Sequence, residues 1–353
     1  MRLTGTCLSF LAITATWSAA GVAIADPVAD FYRGKQMQII VRSAPGGSYD
    51  IYSRLVASHM MKYIPGNPSF ITRHMTGAAG IQAVNFLETV APKDGTVMTI
   101  VSNGLPGDQA LGLAEGLKAD MAALNWIGNI TGSNEVMVAW HTAPVKTFAD
   151  AKTIPLIIGA AAASSVGTKF GAVTNNLLGT KFKIIYGYPG AAALNLAMER
   201  GETQGRASGI WATVKATTPH WITEKKISVL VQVGLRRDPD LPDVPLLVEL
   251  AGNAEQRAIL EFITKSAIVG RPFAVASDVP KQRVAALRQA FDRTVIDSDF
   301  LAEAGKMKAE ISPIGGEDLQ QLITDVINAP ADIRAKAKKA MELRPSDGQS
   351  RGG

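Results

Sequence analysis

The chain has 353 residues, 47% of them hydrophobic and 19% charged, a composition that can bury a core and excludes disorder over most of its length. Its 36 basic and 31 acidic residues leave a net charge of +5 that is thinly spread, with no run of five basic residues, so no nucleic acid partner is expected. Single cores tend to split beyond roughly 250–300 residues, so two lobes are expected.

The chain opens with Arg2, a largely apolar stretch over 8–16, and Ala23-Ile24-Ala25, which puts small residues at the two positions a signal peptidase reads. Residues 1–25 are therefore expected to be an export signal cleaved after Ala25. Thr14, Thr16 and Ser18 interrupt the apolar stretch, which falls short of the ~20 residues a membrane span needs. Cys7, the one cysteine of the sequence, lies in this segment, so a chain starting at Asp26 holds itself together in an oxidising compartment without disulfides.

From there, short apolar runs alternate with helical patterns, the arrangement of parallel strands joined by crossover helices. Residues 37–41 read as a buried strand, followed by a glycine turn and a helix over 51–61 whose apolar positions recur at helical spacing. Strands at 69–75 and 97–102 flank Gly77-Ala78-Ala79-Gly80, a helix near 81–88 and the turn Pro92-Lys93-Asp94-Gly95. After Trp126, strands at 136–140, 156–159, 183–186 and 227–233 alternate with helices near 166–178 and 191–200. Pro239, Pro242 and Pro245 continue neither element and mark a surface connection. Helical patterns run from 255 to the end, where Gly352-Gly353 should fray.

Motifs of catalysis are missing. His59, His74, His141 and His220 are too widely spaced for a local metal-ligand pair, and no metal or cofactor is expected. Gly46-Gly47-Ser48-Tyr49-Asp50 starts like a nucleophile elbow but has Asp50 where the sharp turn needs a second glycine. There is no Gly-Lys-Ser or Gly-Lys-Thr for a phosphate loop and no dinucleotide fingerprint after a strand.

What remains is a set of small-residue loops, each after a strand and before a helix. In Ala44-Pro45-Gly46-Gly47-Ser48, two glycines able to take positive φ would let backbone N–H groups converge at a helix start, with Ser48 adding a hydroxyl. Gly77 to Gly80, Ser164-Ser165-Val166-Gly167-Thr168 and Gly187-Tyr188-Pro189-Gly190 fit the same description. Helix N-termini carry about half a positive charge, so several facing one crevice would hold a carboxylate. Taken singly, each loop is equally an ordinary tight turn. Asp50 would repel an anion and reads instead as a cap or brace for the glycine loop.

Residues 36–56, with Ala44-Pro45-Gly46-Gly47-Ser48-Tyr49-Asp50 followed by Arg54-Leu55, resemble the opening of the Bug-type extracytoplasmic solute receptors of tripartite tricarboxylate transporters, also called TctC-like. Ile64-Pro65-Gly66-Asn67-Pro68, Gly77-Ala78-Ala79-Gly80, Ala91-Pro92-Lys93-Asp94-Gly95-Thr96, Tyr188-Pro189-Gly190, Asp238-Pro239 and Leu241-Pro242-Asp243-Val244-Pro245 follow in the family's order. The resemblance implies an α/β, two-lobed periplasmic binding protein fold, type II-like, with the ligand crevice between domains. Lobe one would comprise 26–125 plus 236–353 and lobe two 126–235. It implies a periplasmic receptor, not an enzyme, that delivers a small organic carboxylate to the membrane subunits of such a transporter. A ligand-sensing module reporting to a sensor protein and a periplasmic enzyme stay open as alternatives.

Carried over by position, the resemblance places ligand contacts on Ser43, Ala44, Pro45, Gly46, Gly47 and Ser48, and on Gly77, Ala78, Ala79 and Gly80. Ser102 and Asn103 lie near the crossover. In the other lobe the contacts fall on Ser164, Ser165 and Thr168, and on Tyr188, Pro189 and Gly190. Two features depart from the family pattern, Arg42-Ser43 before the first loop and the alanine run 160–163. Arg42 ends the first strand and is expected to point to the opposite face as a solvated charge. Tyr188 and Trp211 are either aromatic faces for a ring or packing residues.

Overall fold

The computed structural model describes residues 26–351 except Ser133 and Lys308, so the expected export signal and Gly352-Gly353, expected to fray, lie outside the described residues. Among the described residues the strands are β1 (Gln36–Val41), β2 (Ser69–His74), β3 (Val97–Ile100), β4 (Asn125–Asn129), β5 (Glu135–Trp140), β6 (Leu156–Ala160), β7 (Phe182–Tyr186), β8 (Gly205–Arg206), β9 (Ile227–Val233), β10 (Pro272–Val275), β11 (Ile314–Gly315) and β12 (Gly348–Ser350). They form two six-stranded sheets, ordered β11-β4-β10-β3-β1-β2 and β12-β7-β6-β8-β5-β9.

In the first sheet β1 pairs in parallel with β2 on one side and β3 on the other, which places Ile39 between Thr72 and Met98. Ile39, Ile40 and Val41 are all fully buried. A continuous apolar run rather than an alternating one is what a parallel strand covered on both faces requires. Helix Ser48–Met60 covers this sheet through Leu55, Val56 and Met60. Helix Lys281–Val295 adds Leu287 and Phe291 to the same core. The second core joins Met137, Leu156, Ile158 and Phe182 to Phe170 and Val173 of helix Val166–Val173. A smaller cluster gathers Trp140, Trp211 and Trp221, with Trp140 and Trp221 edge to face at 5.2 Å.

The sheets are mixed, not wholly parallel as the alternating pattern suggests. β10 runs antiparallel to β3 and β4, and β5 runs antiparallel to β8 and β9. The reason is the route of the chain. β1 and β3 end at the inter-lobe loops, whereas β5 and β10 begin where the chain has just crossed between lobes, so they leave that edge in the opposite direction.

The lobe boundaries differ from the expected ones. Trp126, expected in the second lobe, is fully buried in the first core on β4, and the chain crosses only after Asn129. Helices Ala254–Ala267 and Ala331–Ala340, expected in the first lobe, pack Ile259, Leu260, Phe262, Ala337 and Ala340 into the second core. The tail strand β12 pairs with β7 of the second sheet, and Asp347 just before it is anchored by Arg344 Nε at 2.7 Å and Asn175 Nδ2 at 3.1 Å. The C-terminal region is thus shared: β10, β11 and helices Lys281–Val295, Ser298–Lys306 and Gly316–Ile327 belong to the first lobe, and the rest to the second.

Candidate binding site

In the first lobe, the loop between β1 and helix Ser48–Met60 is held by a buried carboxylate. Asp50, 3% exposed, accepts from the Gly46 amide at 2.9 Å and from Arg54 Nε at 3.0 Å, and contacts His74 Nε2 at 2.8 Å. Burial opposes its ionisation, but the Gly46 amide, Arg54 and His74 together hold the carboxyl below its ordinary range. Asp50 is a brace for the glycine loop. Gly46 takes the left-handed backbone, φ 80°, but Gly47 does not: at φ −73° and ψ 162° it is the extended N-cap of the helix. What Gly47 supplies is room, because a Cβ there would lie 3.2 Å from Ser43 Oγ and 3.3 Å from the Ala44 carbonyl.

The second loop is the more contorted. Gly77, Ala78, Ala79 and Gly80 have successive φ values of 142°, 43°, 53° and 102°. An alanine in the left-handed region costs about 1–2 kcal/mol, so the loop keeps a shape its residues do not favour. A Cβ on Gly80 would lie 3.0 Å from Arg42 Nε and 3.4 Å from Ser102 Cβ, which brings the ends of β1 and β3 together with this loop.

Arg42 therefore does not occupy the opposite, solvated face. It is half-buried, its guanidinium carbon sits 4.5 Å from the Tyr49 ring centroid, and its Nε is buried without a hydrogen-bond partner. Packing against the ring and Gly80 turns it towards the loops. Arg271 approaches the same ring at 4.3 Å, donates from Nη2 to Ser48 Oγ at 3.0 Å, and likewise has a buried, unpartnered Nε. Its backbone is fixed by fully buried Asn129, whose Oδ1 accepts from the Arg271 amide at 2.7 Å. Tyr49 Oη in turn accepts from the Asn103 amide at 3.1 Å. The first lobe thus joins Ser43, Gly47, Ser48, Gly80, Ser102 and Asn103, all expected, to two arginines and a tyrosine that were not. Ala44, Pro45 and Gly46 lie exposed on the same loop.

In the second lobe a cleft of about 330 Å³ opens at the end of β6, near the lower limit of small-molecule pockets. Ser165 and Gly190, both expected, line it as the N-caps of helices Val166–Val173 and Ala191–Glu199, and neither helix start has a side-chain cap. Thr168 is fully buried and braces the loop internally, donating from Oγ1 to the Ala162 carbonyl at 2.7 Å. Ser164 and Pro189 are exposed beside the cleft. Tyr188 turns away from it: 2% exposed, it packs with Leu194 and Ala197 and lies under the Arg351 guanidinium at 4.5 Å. Trp211, 3% exposed, belongs to the tryptophan cluster, so both aromatics are packing residues.

The cleft also holds residues the sequence reading passed over, Glu135, Asn195, Arg206 and Ser208. Arg206 is 5% exposed and donates from Nη1 to Asn195 Oδ1 at 2.6 Å, with its Nε unpartnered. Ser208 donates to Glu135 Oε2 at 2.6 Å. The lobes approach one another nearby. Lys215, on the cleft helix Trp211–Thr217, acts electrostatically on Glu310, whose carbonyl accepts from Tyr52 Oη at 3.0 Å. Among the described residues no group of three His, Cys, Asp or Glu is placed to hold a metal ion, and no helix is long and apolar enough to cross a membrane.

This architecture is a two-lobed α/β binding-protein fold, and its likeness to solved structures is extensive. A TctC solute-binding protein from Polaromonas, solved without ligand, superposes with a TM-score of 0.68 at 20% identity, over 88% of this chain and 99% of that one. The Rhodopseudomonas palustris protein MatC with bound malate gives 0.53 at 19% identity, over 87% and 99%. The R. palustris protein Rpa4515 with adipate gives 0.55 at 18% identity, over 87% and 97%. At these identities the likeness is one of fold. No protein-family model matches the chain. No curated protein matches it either.

Proposed function

We propose that the chain is an exported, Bug-type solute receptor that captures a small organic carboxylate between its lobes and presents it to the membrane subunits of a tripartite tricarboxylate transporter. The observation that carries this reading is the set of three guanidinium groups, Arg42 and Arg271 in the first lobe and Arg206 in the second, each with a buried and unpartnered Nε beside loops at the strand ends. A buried donor without an acceptor costs about 1–3 kcal/mol, and more when charged, so such groups are kept where an anion completes them. The uncapped helix starts after Ser165 and Gly190 add unpaired N–H donors and partial positive charge. The two relatives that hold dicarboxylates, malate and adipate, support the same ligand class.

Chain crossings after Asn129, before Arg271 and at 328–330 supply the hinge in this reading. Closure of the lobes excludes water and strengthens each hydrogen bond to the carboxylate, and the transporter recognises the closed form. Export by cleavage after Ala25 places the receptor in the periplasm. A thermal-shift screen of carboxylic acids tests the proposal, since a ligand at about 100 times its Kd adds ~2.7 kcal/mol of stability. A panel of mono-, di- and tricarboxylates that leaves the melting curve unmoved refutes it.

A further inference from the structure

We propose that Glu135 and Arg206 together form a subsite for an acid that carries an ammonium group beside its carboxylate. This rests on the receptor reading and narrows its ligand class.

Glu135 begins β5 as the chain leaves the hinge, and Arg206 ends the short β8. Both line the same cleft, yet each is oriented by a neutral neighbour rather than by the other: Arg206 by Asn195 and Glu135 by Ser208, both at 2.6 Å. The guanidinium has a purpose-made space, because a Cβ on Gly209 would fall 2.4 Å from Arg206 Nη2. With 5% exposure and a bare Nε, Arg206 is a buried cation whose hydrogen-bonding capacity is not spent within the chain. The starts of helices Val166–Val173 and Ala191–Glu199 reinforce its field, so one end of the cleft is built for an anion.

Glu135 contradicts a site for a simple carboxylate. Facing the same space, its charge would repel a second carboxylate, and burial already pushes its own carboxyl up, with Ser208, Arg206 and the Gly209 backbone only partly offsetting that. A ligand bearing both charges resolves the conflict. Its carboxylate completes Arg206 and the helix starts, and its ammonium gives Glu135 a directly bonded counter-charge, which Arg206, acting on it without an ion-pair contact, does not. Buried charges are tolerated when each is paired and hydrogen-bonded, and here the ligand does the pairing.

The test is calorimetric titration of wild type and Glu135→Gln with matched pairs: aspartate and succinate, glutamate and glutarate, phenylalanine and 3-phenylpropanoate. In at least one pair the amino member should bind wild type at least roughly tenfold tighter, a difference of about 1.4 kcal/mol. In Glu135→Gln, which keeps the shape and an acceptor for Ser208, that member should lose about tenfold while its partner holds or gains. A purely structural role would weaken both members alike, and that result overturns the inference. Wild-type binding of the des-amino acids at equal or greater strength also overturns it and leaves the receptor reading standing. Silence from every acid of both series overturns this inference, and the receptor reading then stands or falls on the wider thermal-shift panel of mono-, di- and tricarboxylates. If Glu135→Gln fails to fold, Ser208→Ala, which frees Glu135 from its orienting donor, should narrow the same preference; an unchanged preference there overturns the proposal.

Discussion

Replacing Asp50 with Asn tests whether one carboxylate shapes the loop between β1 and helix Ser48–Met60. Asp50 holds three partners, the Gly46 amide at 2.9 Å, Arg54 Nε at 3.0 Å and His74 Nε2 at 2.8 Å. Arg54 is 57% exposed, so its share is at most ~1 kcal/mol. The bonds to the other two are part-buried on a carboxylate that is itself buried, and hydrogen bonds to a charged group contribute about 1.5–3 kcal/mol each. An amide keeps one oxygen but turns an NH2 towards a neighbour that also donates, so the expected loss is about 3 kcal/mol. Urea unfolding followed by tryptophan fluorescence measures it, with Trp126 reporting on the first core. Arg54→Ala is the control and should cost no more than ~1 kcal/mol. The carboxyl is depressed on folding, so its contribution is complete above the unfolded value near pH 4 and is lost as pH falls through the lower folded value. The variant should therefore show a shallower loss of stability on acidification than wild type. A change within ~0.5 kcal/mol of wild type, or an equal loss in Arg54→Ala, refutes the bracing argument.

For ligand affinity, Arg271→Ala and Arg42→Ala should each weaken binding of the best acid by roughly tenfold or more in calorimetry, about 1.4 kcal/mol, and effects below threefold in both would remove the first-lobe arginines from the site. Gly46→Ala should destabilise by ~1–2 kcal/mol because its φ of 80° lies in open but left-handed space, whereas Gly47→Ala at φ −73° should cost less than ~1 kcal/mol; the reverse order in urea midpoints would contradict the loop geometry. Gly128→Ala would set a Cβ 2.2 Å from Cε1 of fully buried Phe291, and overpacking of this kind should cost about 3 kcal/mol in the same assay. N-terminal sequencing of periplasmic protein should begin at Asp26, and an intact Met1 in a membrane fraction would count against export.

The elements visible in the sequence are those whose identity is local. The run Ile39-Ile40-Val41 and the seven residues Ile227–Val233 declare strands by β-branched content, and both form where expected. β10 was hidden because its four residues follow Gly270-Arg271 and begin with proline, a combination that reads as a turn until β3 and β4 flank it. β8 and β12 have two and three residues, too few for any period, and exist because a neighbouring strand offers its edge. The lobe boundaries failed for a related reason: an amphipathic helix such as Ala254–Ala267 shows that it has a core-facing side, not which of two cores it faces.

The charged half of the site was hidden differently. Arg206 and Arg271 belong to no motif and no period, yet each follows a glycine, Gly205 and Gly270, for reasons of space. A Cβ on Gly205 would lie 2.4 Å from the Val138 carbonyl, and one on Gly270 would lie 2.0 Å from the Thr131 carbonyl. Neither glycine takes a left-handed backbone, so neither is there to make a turn. Each lets a neighbouring strand or hinge segment come close enough to draw the next residue inward, and that residue is an arginine whose Nε is left without an acceptor. A glycine needed for close approach followed by an arginine with a buried Nε, once in each lobe, places the positive charge on backbone that packing has already fixed. If the proposed receptor reading holds, an anion arriving there would meet donors that need little rearrangement, so less of its binding energy would be spent on ordering the protein.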